Sequence, residues 1–316
     1  YVCSFYAHYI TYAKDELVNL HFPILERILS LLLIGVGFWL KWIEINKVVI
    51  VNNWMLSTNL YPELSTEQIT EITQHLKQKF PDHAIVFRSI NEFIDDGIKT
   101  ILQRHSYQMV GSRQVYLFNP NAPALSAKQK QRMKWHLKQD FKLFETHGYQ
   151  VINANELLQA SDIPRIVELY NALYLQKYSD NNPHFNQNII ALMRNSGFLE
   201  LRALRKAGKI DGIIGFYVLN GVMTTPLLGY DTRLPQELGL YRMLSACLIQ
   251  IGNQRGLIFN QSSGVASFKR RRGFSGWIEY SAVFHQHLSF HRRLGWLLLG
   301  RLVDFIAIPL MRRYKL

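Results

Sequence analysis

Apolar residues recur along this chain with two periods, and the switches between them outline alternating helices and strands. "KVVIVNNWML" (residues 47–56) is β-branched and bounded by turn-formers, as a strand requires. In "LSTEQITEITQHLKQKF" (64–80) the period becomes helical: Ser65 with Gln68 three residues on forms a capping box, and Pro81 closes the element. "HAIVFRS" then reads as a strand, "NEFIDDGIKTILQRHSY" as a helix and "QMVGSRQVYLF" as a strand pair or a bent strand. A long polar helix over 126–149 carries Lys128, Lys130, Arg132, Lys134, Lys138 and Lys142 on its wet side, and a helical pattern also covers 14–41.

From Val151 the series starts again. Helices are expected over 162–179 and 186–197, then two strands about a tight "KAGK" turn, then a strand "VMTTPLLGYD". A helix ending at Gly256, a strand "LIFNQS", a short helix "GVASFKRRRG" and a final strand over 277–288 complete the pattern. The whole predicts an α/β chain with mixed sheets. The repeated element order predicts two related halves, 47–150 and 151–290, between helical extensions 1–46 and 291–316. No residue-level repeat joins the halves, so the duplication rests on element order alone.

Composition narrows the picture. At 316 residues and nearly half apolar, the chain can bury a sizeable core, and its net charge of +13 favours anionic partners. Cys3 and Cys247 stand far apart, with no disulfide framework and no metal-ligand spacing, so a reducing, cytoplasmic setting is expected and no metal is. "YVCSFYAHYITYAKDE" has neither a basic leader nor a small-residue cleavage site, so no signal peptide is expected within it. The 13 uncharged residues between Arg27 and Lys41 fall short of the roughly 20 a spanning helix needs, which favours a buried helix. "LGWLLLGRLVDFIAIPLM" (294–311) lies between Arg292-Arg293 and Arg312-Arg313, with Arg301 and Asp304 at i,i+3. It suits either an anionic bilayer surface, on the inner face of the membrane, or packing on the protein body, and the pattern leaves both open.

Candidate chemistry gathers in the second half. The loop "TRLPQELGL" (232–240) joins a strand to a helix: Gly239 lets the backbone approach a ligand, and the free amides of a helix N-terminus bind phosphate oxygens. Downstream, "SFKRRRGF" sets Lys269, Arg270, Arg271 and Arg272 in a row. Lys269 and Arg272 share one helical face at i,i+3, and Lys269, after Phe268, is the cation expected to point inward. Tyr230 and Asp231 end a strand where such folds open their ligand crevice. Asp231 is a candidate to orient or deprotonate an amine, or a turn-former before Thr232. Asn260, Ser262 and Ser263 face the same crevice or cap the short helix. Glu279 is a candidate general base, or a solvent-facing strand residue. His285, His287 and His291 are read as part of a basic surface, and the polar loop 177–185 as a substrate loop or an ordinary turn.

The order strand, glycine loop, helix, strand, short helix with a closing Gly-Phe resembles the second half of the GNAT acyltransferase fold. Gly239 and Tyr241 stand in its pyrophosphate-loop position, and Lys269 to Phe274 in its terminal element. The chain departs from simple GNAT enzymes: its loop reads "PQELGLY" rather than Q/R-x-x-G-x-G/A, and Lys269 stands where many members keep a tyrosine acid. "FK" before a glycine, with the doubled element order, looks more like the tandem FemAB/FemX group. The resemblance implies an N-acyltransferase in which Glu237, Leu238, Gly239, Leu240 and Tyr241 hold an acyl-CoA donor. Lys269 would neutralise a phosphate or the developing oxyanion, and Tyr230, Asn260, Ser262, Arg270 and Arg272 would meet the substrate. The acceptor would be an amine of a small molecule, lipid or cell-wall precursor. An aminoacyl-tRNA donor is the alternative, as is a non-catalytic protein that binds anionic lipid or nucleic acid. No RNP, zinc-finger or helix-turn-helix pattern favours nucleic acid other than a charged tRNA.

Overall fold

A computed structural model describes residues 1–17, 22–121, 126–153 and 158–314. The chain divides into two compact units: Tyr1–Val115 with Gly276–Leu316, and Tyr116–Ser275. The boundary expected near residue 150 therefore falls inside the second unit, and the last strand and helices belong with the first.

In the first unit a helical turn Ala7–Tyr12 runs into α1 (Ala13–Glu16), followed by α2 (Pro23–Trp42), β1 (Val48–Val51), α3 (Thr66–Lys79), β2 (Ala84–Ile90), α4 (Asp96–Arg104) and β3 (Gln108–Phe118). Residues 18–21, inside the predicted helical stretch 14–41, lie outside the described residues. Ser65 caps α3 with the predicted box: its hydroxyl accepts from Gln68 N, and Gln68 Oε1 accepts from Ser65 N. β1 lies parallel to β2, and β2 pairs antiparallel with β9 (Ser275–Phe284) through Ile85↔Phe284, Val86↔Val283 and Phe87↔Ala282. One sheet face carries Ala84, Val86, Val110 and Val283 into a core with Leu40 of α2 and with Trp296, Leu299, Val303 and Ile308 of the C-terminal helices. Those are α10 (Phe290–Leu302), a wider turn Val303–Ala307 and α11 (Ile308–Tyr314). The opposite face packs Ile85, Phe87 and Ala282 against Ile69 of α3 and Leu102 of α4.

The second unit contains α5 (Ala127–His147), β4 (Gln150–Asn153), α6 (Ile163–Asn171), α7 (Gln187–Asn195), β5 (Glu200–Lys206), β6 (Lys209–Leu219), β7 (Val222–Tyr230), α8 (Leu240–Arg255), β8 (Ile258–Asn260) and α9 (Ala266–Arg271). β4 to β7 form an antiparallel meander, β8 lies parallel to β7, and the last residues of β3 pair antiparallel with β8. Its core joins Phe216, Met223 and Phe259 of the strands to Met243, Leu244 and Leu248 of α8. Nine of the sixteen residues of α8 are buried, among them the unbroken run from Met243 to Ile249, which covers every side of the helix, so α8 is a central element rather than a surface one.

Candidate active site

β7 and β8 stay together for only three residue pairs, Val222↔Ile258, Met223↔Phe259 and Thr224↔Asn260. β8 ends there, whereas β7 continues to Tyr230, and Pro226 in that continuation has no N–H to offer a ladder. Two buried polar atoms at the parting have no hydrogen-bond partner among the described residues: Oγ1 of Thr225 and Nδ2 of Asn260, whose Oδ1 accepts from Ser262 N at 2.9 Å. Such atoms cost free energy unless a partner arrives.

From Tyr230 the chain loops to Gly239 and enters α8. Gly239 is left-handed (φ 68°), a conformation that favours glycine, and a Cβ there would stand 2.6 Å from Leu143 Cδ1, which would have to swing aside. No side chain caps α8, so the N–H groups of its first turn, at Leu240, Tyr241 and Arg242, lie at the positive end of the helix dipole without an intrahelical acceptor. Glu237 is exposed, while Leu238 and Leu240 pack on the core. The rings of Tyr230 and Tyr241 stand 6.4 Å apart, and Tyr241 contacts Phe268 at 4.9 Å. Burial raises the pKa of both phenols, keeping them protonated; Lys177 Nζ lies 3.5 Å from the Tyr230 hydroxyl.

Lys269 lies inside as expected, but Arg272, expected to meet the substrate with Arg270, lies inside with it because the two share one helical face. Lys269 and Arg272 are buried, and Arg270 and Arg271 are exposed. The Lys269 ammonium donates to the carbonyls of Gln261 (2.7 Å), Ser262 (3.2 Å) and Ser263 (2.7 Å), which ties α9 to the loop after β8. Arg272 makes a bidentate pair with the fully buried Asp140 of α5, and its guanidinium lies 3.5 Å from the Phe268 ring centroid. Arg242 Nε also donates to Asp140 at 2.7 Å. Arg270 lies over the ring of Tyr116 at 5.8 Å. Lys269 and Arg272 are thus engaged in holding the chain, and the exposed cations are the pair between them.

Asp231 is buried and accepts from Arg233 Nε and Nη2 at 2.9 Å and from Arg165 Nη2 at 2.8 Å. The Arg233 hydrogen bonds, with those from Arg165, hold its carboxyl far below the usual carboxylate range, which suits an anchor for the loop rather than a proton acceptor. Glu279 belongs to the first unit, where Arg113 Nε donates to it at 2.9 Å, because β9 pairs there with β2. His285 and His287 lie beyond the end of β9, not on a strand face: His285 Nε2 meets Gln108 Oε1 and His287 Nε2 meets the His83 carbonyl, each at 2.9 Å. In the loop 177–185, Asn182 is buried and donates to the Tyr174 and Ser179 carbonyls, so this stretch is braced from within. Asp140, Arg165, Tyr116 and Thr225 escaped the sequence reading. Asp140 had one signal, an acid on a helix otherwise crowded with lysines.

No family model and no curated protein matches the sequence. Solved structures do match in fold. The C-terminal domain assigned to a lysylphosphatidylglycerol synthetase of Agrobacterium fabrum is 13% identical, with a TM-score of 0.52 over 75% of this chain and 77% of that one. L-PGS of Bacillus licheniformis is 15% identical, with a TM-score of 0.51 over 75% and 78% of the two chains. FemX is 7% identical, with a TM-score of 0.50 over 74% and 80%. Identities this low speak for the fold alone, and the fold they share with this chain is the GNAT-like acyltransferase fold.

Proposed function

We propose that the second unit binds an activated acyl donor where β7 and β8 part, and transfers the acyl group to an amine. The observation that supports this reading is the early parting of the two strands beside the uncapped start of α8: an open strand edge and a row of amides able to hold a phosphate lie within one loop of each other. The amine nitrogen attacks the carbonyl carbon of the donor, the bond to its thiolate or alkoxide breaks, the nitrogen releases a proton to solvent and the leaving group takes one up. In this reading Tyr230 or Tyr241, kept protonated by burial, gives that proton and regains one from solvent. Asn260 Nδ2 is a donor in search of an acceptor such as the acyl oxygen. Lys269 and Asp231 act as positioning residues, holding the loops after β8 and β7. Arg270 and Arg271 form a basic rim for donor phosphates.

The donor is acyl-CoA or an aminoacyl-tRNA. The likeness in fold to FemX supports a place in the FemAB/FemX group, and the name of the Agrobacterium fabrum domain, a lysylphosphatidylglycerol synthetase, supports an aminoacyl group and an anionic lipid acceptor as the second pairing to test. Calorimetric titration with acetyl-CoA and a long-chain acyl-CoA, beside filter binding of charged tRNA, tests the reading. Saturable binding of any one of them that the exposed double change Arg270→Glu with Arg271→Glu weakens at least about tenfold, with circular dichroism unchanged, is the expected result. No binding of any donor, or binding that the double change leaves unchanged, would overturn it.

A further inference from the structure

Large apolar side chains left in solvent are concentrated on two elements of the first unit. Along α2, Ile24, Ile28, Leu31, Phe38 and Trp42 follow one helical stripe and are between 56% and 78% exposed. Along α10 and its continuation, Phe290, Leu294, Leu298 and Phe305 form a second stripe, with Phe290 and Phe305 at 76% and 80%. Scattered exposed leucines need no explanation, but two continuous stripes do.

The inner side of α10 and its continuation is buried, and α2 is held to the core near its C-terminal end. Gly37 and Leu40 of α2 are buried, and Trp296, Leu299, Val303 and Ile308 join Leu40 in the core over the sheet face that bears Ala84, Val86 and Val283. Both elements therefore cover the same sheet face and turn their apolar stripes away from it. Their ends adjoin: the rings of Trp42 and His291 lie 5.4 Å apart, and a Cβ on Gly295 would stand 2.6 Å from Ile43 Cδ1. By length and hydropathy each could cross a bilayer, yet α10 and its continuation are packed on a soluble core and α2 is tethered to the same core near its C-terminal end, which leaves their outer sides to give to lipid. The charges around the stripes have one dominant sign. Arg27, Lys41, Arg293, Arg301, Arg312 and Arg313 are exposed on these helices, against one exposed carboxylate, Asp304, among the described residues.

We propose that α2 and α10–α11 form a docking surface that lies in the interface of an anionic lipid bilayer, with their aromatic and aliphatic stripes among the acyl chains and their arginines at the headgroups. The inference rests on the surface of the first unit and is independent of the reaction proposed for the second.

Co-sedimentation of the full chain with vesicles tests it, using phosphatidylcholine alone and phosphatidylcholine mixed with phosphatidylglycerol. Binding to the anionic vesicles, weak binding to the neutral ones and weakening by salt are expected. Phe38→Glu and Phe305→Glu sit on exposed positions that the fold does not need. Each is expected to lower partitioning at least about tenfold while circular dichroism stays unchanged, since a charge replaces a ring in lipid. Equal binding by both variants would overturn the proposal, as would failure of the parent chain to bind anionic vesicles. A dimer in light scattering that Phe38→Glu dissociates, with no vesicle binding, would assign the surface to a second copy of the chain instead.

Discussion

Arg272 and Asp140 are joined by two hydrogen bonds, Nε to Oδ2 at 2.6 Å and Nη2 to Oδ1 at 2.8 Å, although one caps the end of α9 and the other lies on α5, far apart in the chain. The carboxylate is fully buried, so removing it strands a buried guanidinium. Asp140→Ala is expected to lower unfolding stability by about 3–5 kcal/mol, read from urea denaturation. Arg242→Ala removes the other, half-exposed partner and should cost no more than about 1 kcal/mol.

Lys269 serves the loop after β8 in a comparable way, with its ammonium shared among three carbonyls. Lys269→Met fills most of the same space but makes no hydrogen bond, leaving those oxygens unserved. Stability should fall by about 1–3 kcal/mol, and limited proteolysis should cut earliest near Gly264, the exposed tip of the loop.

The local part of this architecture was legible in the sequence and the long-range part was not. A capping box places α3, and periodicity places α5, β3 and α8, within a residue or two, because each rests on contacts between near neighbours. The i,i+3 spacing puts Lys269 and Arg272 on one face for the same reason, but it does not tell that this face is buried, so Arg272 leaves the substrate-facing rim expected for it. What they meet there is beyond local reading: the partner of Arg272 lies on α5, and Glu279, ten residues from Lys269 in sequence, is carried into the other unit by its strand. Strand pairing depends on the whole topology, and neither composition nor period encodes it. The parting of β7 from β8 is equally silent, since only the ladder register reveals where β8 stops.

Gly229 and Gly256 make a contrasting pair. A Cβ on Gly229 would stand 2.7 Å from the Leu169 carbonyl carbon and the Tyr170 nitrogen, which are backbone atoms of α6 and cannot swing aside. Gly229→Ala should therefore cost about 1–3 kcal/mol in thermal or urea unfolding through overpacking. Gly256 has open space around it but a φ of 65°, so Gly256→Ala should cost about 1 kcal/mol from backbone strain alone.

His285 makes stability depend on pH. Burial, with Arg293 nearby, pushes its pKa down to about 4, below the ordinary value of 6.5 that the unfolded chain restores. Between those values the unfolded state binds the proton and the folded state does not, so stability is lost as pH falls from 6.5 toward 4 and is unaffected above that range. The contribution lost at pH 5 is on the order of 2 kcal/mol, and His285→Gln should flatten this part of the stability profile in urea titrations.

The strand that carries Glu279 has a consequence for how the protein is made. β9 lies beside β2 in the sheet of the first unit, yet all of Tyr116–Ser275 is synthesised between them. The second unit is one unbroken stretch and can fold as it emerges, while β2 waits with an unpaired edge and an open apolar face for Val283 and Trp296. The early-made part of the chain is thus the last to be finished, and its half-built sheet is where a chaperone would have most to protect.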